Sequence, residues 1–126
     1  MNNITPFLIF SVFQTTQDMT TNVKNHEVLI DELQDAGIYF KEVKGAYKGT
    51  HEISILIEAK HETLVRVLTK RENQESYLYV DSNGLASLHK PVTGDTIAVV
   101  GRWREVSGNN DSENYTCIDG RYFEAS

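Results

Sequence analysis

An α+β domain built on an antiparallel sheet is what the sequence predicts, and three observations carry it. Stretches of strand and helix period follow one another in the order β-α-β-β-α-β, with further β after them. Residues 51–58, HEISILIE, put His51, Ile53, Ile55 and Ile57 on one face and Glu52, Ser54, Leu56 and Glu58 on the other, the two-residue repeat of a strand. Asn83-Gly84 stands between two short strand-like runs, and this dipeptide readily takes the positive φ that a two-residue hairpin needs.

Residues 6–14, PFLIFSVFQ, are dense in Phe, Ile and Val and too short for a capped helix, so they read as a buried central strand. Residues 15–21 are small and polar, the composition of a loop. Thr21 or Asn22 is placed to cap a helix by accepting a hydrogen bond from one of its first free N–H groups. Val23, Leu29, Ile30 and Leu33 then recur at helical spacing, with His26 and Ala36 near the same stripe and Lys24, Glu27, Asp31 and Asp35 facing away. Gly37 ends the helix, since glycine enters the left-handed cap conformation without a Cβ penalty.

Residues 38–44 are rich in Tyr, Phe and Val and read as a strand; 45–50, GAYKGT, break it before the alternating strand at 51–58. Residues 60–73 return to helical period, with Leu64, Val65 and Leu68 on one side, and Lys60, Arg66, Lys70 and Arg71 make this the basic element. Strands at 77–80 and 85–88 flank Asn83-Gly84. Residues 95–106 form another strand, with Ile97, Val99 and Trp103 inward. A loop at 108–113 leads to a last hairpin, 115–118 and 121–123, about Asp119-Gly120.

This order is the ferredoxin-like split βαβ plan: an antiparallel sheet with two helices on one face, here extended by C-terminal hairpins. The other sheet face needs cover, either from the C-terminal strands or from a neighbouring subunit in a symmetric, PII-like oligomer. The even-numbered face of residues 51–58 carries Glu52 and Glu58 beside Leu56, a mixture that suits an interface or a site better than a dry core.

The chain has 126 residues, which is one domain spanning 1–126 by size. At 40% hydrophobic and 24% charged residues it has globular composition, neither disordered nor collagen-like. Eighteen acids against 12 bases give a net charge of −6, which argues against a nucleic-acid binder and suits a small, neutral or cationic ligand. Cys117 is the one cysteine, so no internal disulfide or cysteine-based zinc site forms, and a single free thiol fits a reducing cytoplasm. The apolar run Phe7-Leu8-Ile9-Phe10 is far short of the ~20 residues of a membrane span, and no basic segment precedes it, so neither a membrane anchor nor a secretory signal is expected.

Few residues promise chemistry on spacing alone. Residues 45–50 hold two glycines but lack the Lys-Ser/Thr end of a phosphate-binding loop. The four histidines, His26, His51, His61 and His89, lie on separate elements; His51 and His61 straddle a turn where a metal pair is conceivable, but surface or capping roles are the plainer reading. Cys117 has no basic cluster near it in sequence, which favours an inert thiol over a nucleophile. Two features rise above these. Tyr47 sits in a glycine-bracketed turn where backbone can approach a ligand. Glu52, five residues on, is either a solvated strand end or a recognition group for a cation or a hydroxyl. Glu58 lies on the same face about 20 Å along at ~3.3 Å per residue, so the two glutamates are no close catalytic pair within one chain. Glu58 is either a strand-end charge or a contribution to the next subunit's site.

Several strings, in order along most of the chain, resemble the phage S-adenosylmethionine-degrading enzymes, once called hydrolases and now understood as lyases. They are Phe10-Ser11-Val12-Phe13, the helix containing Asn25-His26, Gly45-Ala46-Tyr47 with its Glu-led strand, and residues 74–80, QESYLYV. The Gly84-Leu85-Ala86 hairpin and the ending 115–123, YTCIDGRYF, continue the resemblance.

The resemblance implies cleavage of S-adenosylmethionine, without metal or cofactor, to 5′-methylthioadenosine and homoserine lactone. The sulfonium makes methylthioadenosine a good leaving group, and the substrate's own carboxylate can attack its γ-carbon. The protein then need only fold the tail into an attack geometry and exclude water, where orientation supplies ~7–11 kcal/mol at best. On that basis Glu52 binds the substrate ammonium or a ribose hydroxyl, Tyr47 lies near the sulfonium or the carboxylate, and Glu58 is the second carboxylate candidate. Phe10, Ser11 and Phe13 line the adenine pocket, and Gln74 and Ser76 are candidates for tail contacts. A homotrimer with sites between subunits is also implied, acting in the host cytoplasm, where loss of the methyl donor blunts restriction-modification or derepresses methionine synthesis. Three alternatives stand beside it: a non-enzymatic, trimeric PII-like regulator binding an adenine nucleotide, a hydrolase releasing homoserine, and a protein that blocks a host enzyme by surface mimicry.

Overall fold

A computed structural model describes residues 4–14, 16–47, 50–107 and 115–126; the side chains of Ala46, Tyr47, Thr50 and His51 fall outside what it describes. The elements are β1 (Phe7–Phe10), α1 (Met19–Asp35), β2 (Phe40–Tyr47), β3 (Thr50–Glu58), a 3₁₀ turn (Ala59–His61) and α2 (Glu62–Arg71). They continue with β4 (Tyr77–Val80), β5 (Leu85–His89), β6 (Thr96–Val106), β7 (Tyr115–Ile118) and β8 (Arg121–Ala125). The helix at α1 starts earlier than the sequence suggests. Asp18, not Thr21 or Asn22, is the cap, its Oδ1 accepting the Thr21 N–H at 2.7 Å. Asn22 is instead buried, and its amide exchanges two hydrogen bonds with the Gln14 backbone, at 2.9 and 3.0 Å. The stripe that α1 buries is therefore Asn22, His26, Leu29 and Leu33, while Val23 is partly exposed. His26 hydrogen-bonds Glu42 on β2 at 2.8 Å.

The open ferredoxin-like sheet is not what forms. The strands close into an eight-stranded antiparallel barrel in the order β1-β3-β2-β7-β8-β6-β5-β4. The reason lies at the two edges that an open sheet would leave. The edge of β2 is taken by β7, with Lys44 opposite Cys117 and Gly45 opposite Thr116, and the edge of β4 is taken by β5. Strand β6 makes the closure: Thr96–Arg102 pairs with β5, and Trp103–Val106 pairs with β8. Its pairing with β5 carries two register shifts, which bend a strand around a barrel wall. Unpaired edge N–H and C=O groups invite association, and closure removes them.

Closure also answers what covers the second sheet face. On one face, Leu8, Phe10, Ile55 and Ile57 pack with Leu29 and Leu33 of α1 and Val65 and Leu68 of α2, so both helices lie outside the barrel. On the other face Phe7 meets Trp103 edge-to-face at 5.4 Å, and Trp103 stacks on Phe123 at 5.5 Å. These contacts cross the barrel, and Val43, Ser54, Val80 and Ala86 are buried on the same inner side. The C-terminal strands thus cover the face that carries Ser54 and Leu56. Ile97 and Val99, expected inward, are 47% and 62% exposed, because the first half of β6 has nothing packed over it among the described residues.

Two further ties hold α2. The Tyr77 hydroxyl donates to Glu62 at 2.6 Å; burial, then this bond, push its pKa up. Arg71 grips Glu32 of α1 with two bonds of 3.0 and 2.9 Å, which holds that carboxyl below its ordinary value.

Gly101 sits where the barrel wall meets the C-terminal residue. Its φ is +143°, and a Cβ there would stand 2.4–2.8 Å from the backbone of Ser126, which pairs with Arg102 through two 3.0 Å bonds. Gly101→Ala is expected to lower unfolding free energy by about 1–3 kcal/mol, through backbone strain and displacement of that residue. A urea titration checks it: an unchanged midpoint would show that the close approach carries no stability.

Candidate active site

A cavity of about 450 Å³ lies beside β2, β3, β7 and β8, lined by Phe13, Met19, Lys44, Gly45, Glu52, Ile53, Tyr115, Cys117 and Tyr122. That volume lies within the roughly 300–1,000 Å³ of small-molecule sites. Its floor is a row of residues facing one another across four neighbouring strands. Ile53 on β3 stands opposite Lys44 on β2, Lys44 opposite Cys117 on β7, and Cys117 opposite Tyr122 on β8. At ~4.8 Å between strands, the row is about 14 Å long. Tyr115 adds a second ring, 5.6 Å from Tyr122 between centroids. Phe13, from the β1–α1 connection, and Met19, the first residue of α1, supply a further wall.

Phe13 is held from both sides of its backbone. Its N–H donates to Ser11 Oγ at 3.0 Å, and its carbonyl accepts from Gln74 Nε2 at 2.7 Å. Ser11 Oγ in turn donates to the Ile53 carbonyl at 3.1 Å, which fixes two lining residues relative to each other. The Phe13 ring packs edge-to-face against buried His26, with 6.0 Å between centroids. Ser11 and Gln74, expected as ligand contacts, are therefore used to position Phe13. Phe10 is buried in the helix-facing core, and neither it nor Ser76 lines the cavity.

Glu52 does line it, opposite Gly45 in the β2–β3 ladder. The carboxylate has no hydrogen bond or ion pair among the described residues, and burial pushes its pKa above the ordinary glutamate value. A carboxylate partly stripped of water and lacking a partner favours a cationic ligand group. Glu58 stands at the far end of β3, opposite Phe7, 46% exposed at its side chain and 3.5 Å from Lys60 Nζ. It does not reach the cavity within this chain. Tyr47 ends β2, opposite Thr50, close in sequence to Gly45; its side chain lies outside the described residues, as does that of His51. Among the described residues, no three His, Cys, Asp or Glu side chains stand together as a metal site would require. No described helix is long and apolar enough to cross a membrane.

Sequence reasoning finds Phe13 and Glu52 but not Lys44, Cys117, Tyr115 or Tyr122. The Asp119-Gly120 hairpin does place Cys117 opposite Tyr122 by counting back from the turn. Nothing local tells that this hairpin docks on β2. Chemically, the cavity offers aromatic walls, the Lys44 side chain and a desolvated carboxylate, Glu52, which suits a flat ring system attached to a charged tail.

Comparison with known families gives one match: residues 8–126 fit the model described as the S-Adenosylmethionine lyase family. No curated protein matches the chain.

Proposed function

This chain belongs to the S-adenosylmethionine lyase family, and from that premise we propose that it cleaves S-adenosylmethionine to 5′-methylthioadenosine and L-homoserine lactone. A carboxylate oxygen of the substrate attacks its own γ-carbon. The new C–O bond closes a five-membered ring, and the C–S bond breaks with its electron pair passing to sulfur. The positive sulfonium and the negative carboxylate both become neutral, and no proton moves. The step as written asks for no metal, bound water or protein nucleophile.

The observation that carries this reading is Glu52, desolvated and without a partner among the described residues, in a cavity with aromatic walls. Ionised, it takes the substrate's α-ammonium and so anchors the methionine tail. Phe13, Tyr115 and Tyr122 offer faces for the adenine ring and for the sulfonium, to which an aromatic face contributes about 1–2 kcal/mol when desolvated. Tyr47 keeps the role near the sulfonium that the resemblance implies. Binding must not favour the sulfonium too strongly, since its charge is gone in the transition state. A homotrimer belongs to the same proposal: Ile97, Val99 and Val100 on β6 give another copy an apolar surface, and Glu58, half-exposed beside Lys60, is the carboxylate offered to a neighbour's site.

The test is to incubate the protein with S-adenosylmethionine in the presence of a chelator and resolve products over time. Methylthioadenosine and homoserine lactone in equal amounts are expected. Homoserine from the earliest points, without lactone, would show hydrolysis instead. Binding without consumption would favour a regulatory role.

A further inference from the structure

A second group of reactive side chains stands away from the cavity, on the face that β4 and β5 turn toward α2. Ser87 and His89 are two residues apart on β5, so the alternation of the strand puts them on one face. Opposite them on β4 are Tyr79 and Tyr77. Ser87 Oγ lies 2.9 Å from His89 Nε2, and His89 Nδ1 lies 3.0 Å from the Gly94 carbonyl oxygen. A carbonyl only accepts, so Nδ1 carries the ring proton in neutral His89. Nε2 is then a bare lone pair, and the Ser87 hydroxyl donates to it. Buried His26 is not equivalent: its Nε2 meets Glu42, and its Nδ1 has no partner.

The His89 ring is fixed in this orientation. It stacks on Tyr79, with 5.1 Å between centroids and 19° between planes, and has Tyr77 at 5.6 Å. The turn that carries the Gly94 carbonyl is held as well. The Gly94 N–H donates to the Lys90 carbonyl at 2.7 Å, and Arg66 of α2 donates to the Pro91 and Val92 carbonyls at 3.1 and 2.7 Å. Glu62 Oε2 stands 3.9 Å from His89 Nδ1, so a proton arriving on the ring has a carboxylate close by. A hydroxyl within reach of a base, and a base oriented by a third group, is the arrangement that activates a serine.

We propose that Ser87 is a nucleophile and His89 its general base, acting on small activated carboxylic esters. Ser87 Oγ bonds the carbonyl carbon of the ester while its proton passes to His89 Nε2. The carbonyl π pair moves to oxygen and returns as the C–O bond to the alcohol breaks, and the alcohol leaves with the proton from Nε2. The product is acyl-Ser87; water restores the serine by the same sequence and releases the acid. A nucleophile and one base suffice only where the departing alcohol is weakly basic, so aryl esters rather than amides are what the pair opens. Ser87 is half-buried, so a small acyl group reaches it. None of these residues lines the cavity, and the proposal stands or falls independently of the S-adenosylmethionine reading.

p-Nitrophenyl acetate is the probe, with acetylated residues located by peptide mass spectrometry in early, acid-quenched samples. Exposed Ser107, following β6, serves as the unassisted hydroxyl of the same molecule. Ser87 is expected to be acetylated about 100-fold or more faster than Ser107, the contribution of one general base. His89→Gln should remove that advantage, and Ser87→Ala should remove the matching early release of p-nitrophenolate. Equal labelling of Ser87 and Ser107 in the native protein would overturn the proposal, whether or not the variants fold. An advantage that survives His89→Gln would overturn it too, by showing that something other than this imidazole activates the hydroxyl.

Discussion

Glu52→Gln is expected to lose roughly 10- to 150-fold in kcat/KM for S-adenosylmethionine, the equivalent of the ~1.5–3 kcal/mol of a hydrogen bond to a charged group. The fold should not suffer. Burial raises the Glu52 pKa, so the folded state binds this proton more tightly than the unfolded chain does. The ionised carboxylate therefore costs stability above its ordinary value of 4.5, and that cost fades as pH falls through the raised pKa. Glutamine removes the charge, so the variant should be as stable as the native protein at neutral pH or slightly more so, with no gain in acid. Activity follows the opposite direction. Only ionised Glu52 attracts an ammonium, so kcat/KM of the native enzyme should fall on acidification at a pH above the usual glutamate range. The variant should lack that limb. Steady-state rates across pH, with thermal melts beside them, decide the matter. Unchanged turnover would remove Glu52 from substrate binding, and a lower melting temperature would make its role structural.

The largest expected loss of stability is at Leu29. Its side chain is 0% exposed, between α1 and the outer barrel face formed by Leu8, Phe10, Ile55 and Ile57. Leu29→Ala removes most of a buried side chain and leaves a space that tight packing closes only in part, at a cost of ~2–5 kcal/mol. A domain of this size has only ~5–15 kcal/mol in total, so the melting temperature should drop by about 10–20 °C. Val23→Ala, on the same helix but partly exposed, should change stability by about 0.5 kcal/mol or less. Similar effects from the two variants would contradict the placement of the stripe at Asn22, His26, Leu29 and Leu33.

What the sequence makes legible and what it hides divide along chain distance. Strand β3 and the Asn83-Gly84 hairpin are written in neighbouring residues, and the structure forms them where the pattern places them. The start of α1 is missed by one turn because Asp18, Thr21 and Asn22 are all competent caps, and a tertiary bond to Gln14 takes Asn22 out of contention. Closure of the barrel has no local signal. It depends on β7 meeting β2 and on irregular pairing along β6, both between segments that local periodicity cannot relate. The site divides in the same way. Glu52 is conspicuous as a carboxylate at the head of an apolar strand. Lys44 looks like any strand-end lysine until Cys117 and Tyr122 are set beside it. Ser11 and Gln74 are polar groups at suggestive positions, yet their hydrogen bonds go to the backbone of Phe13.

The cross-strand floor of the cavity has a bearing on synthesis. A ribosome delivers Phe13, Lys44 and Glu52 well before Cys117 and Tyr122, so a nascent chain holds one bank of the binding groove and waits for the other. Until the hairpin of β7 and β8 lies down beside β2, the cavity lacks the wall that Tyr115, Cys117 and Tyr122 supply. On the proposed reading, turnover therefore waits for that hairpin, and a fragment lacking residues 115–125 is expected to have none.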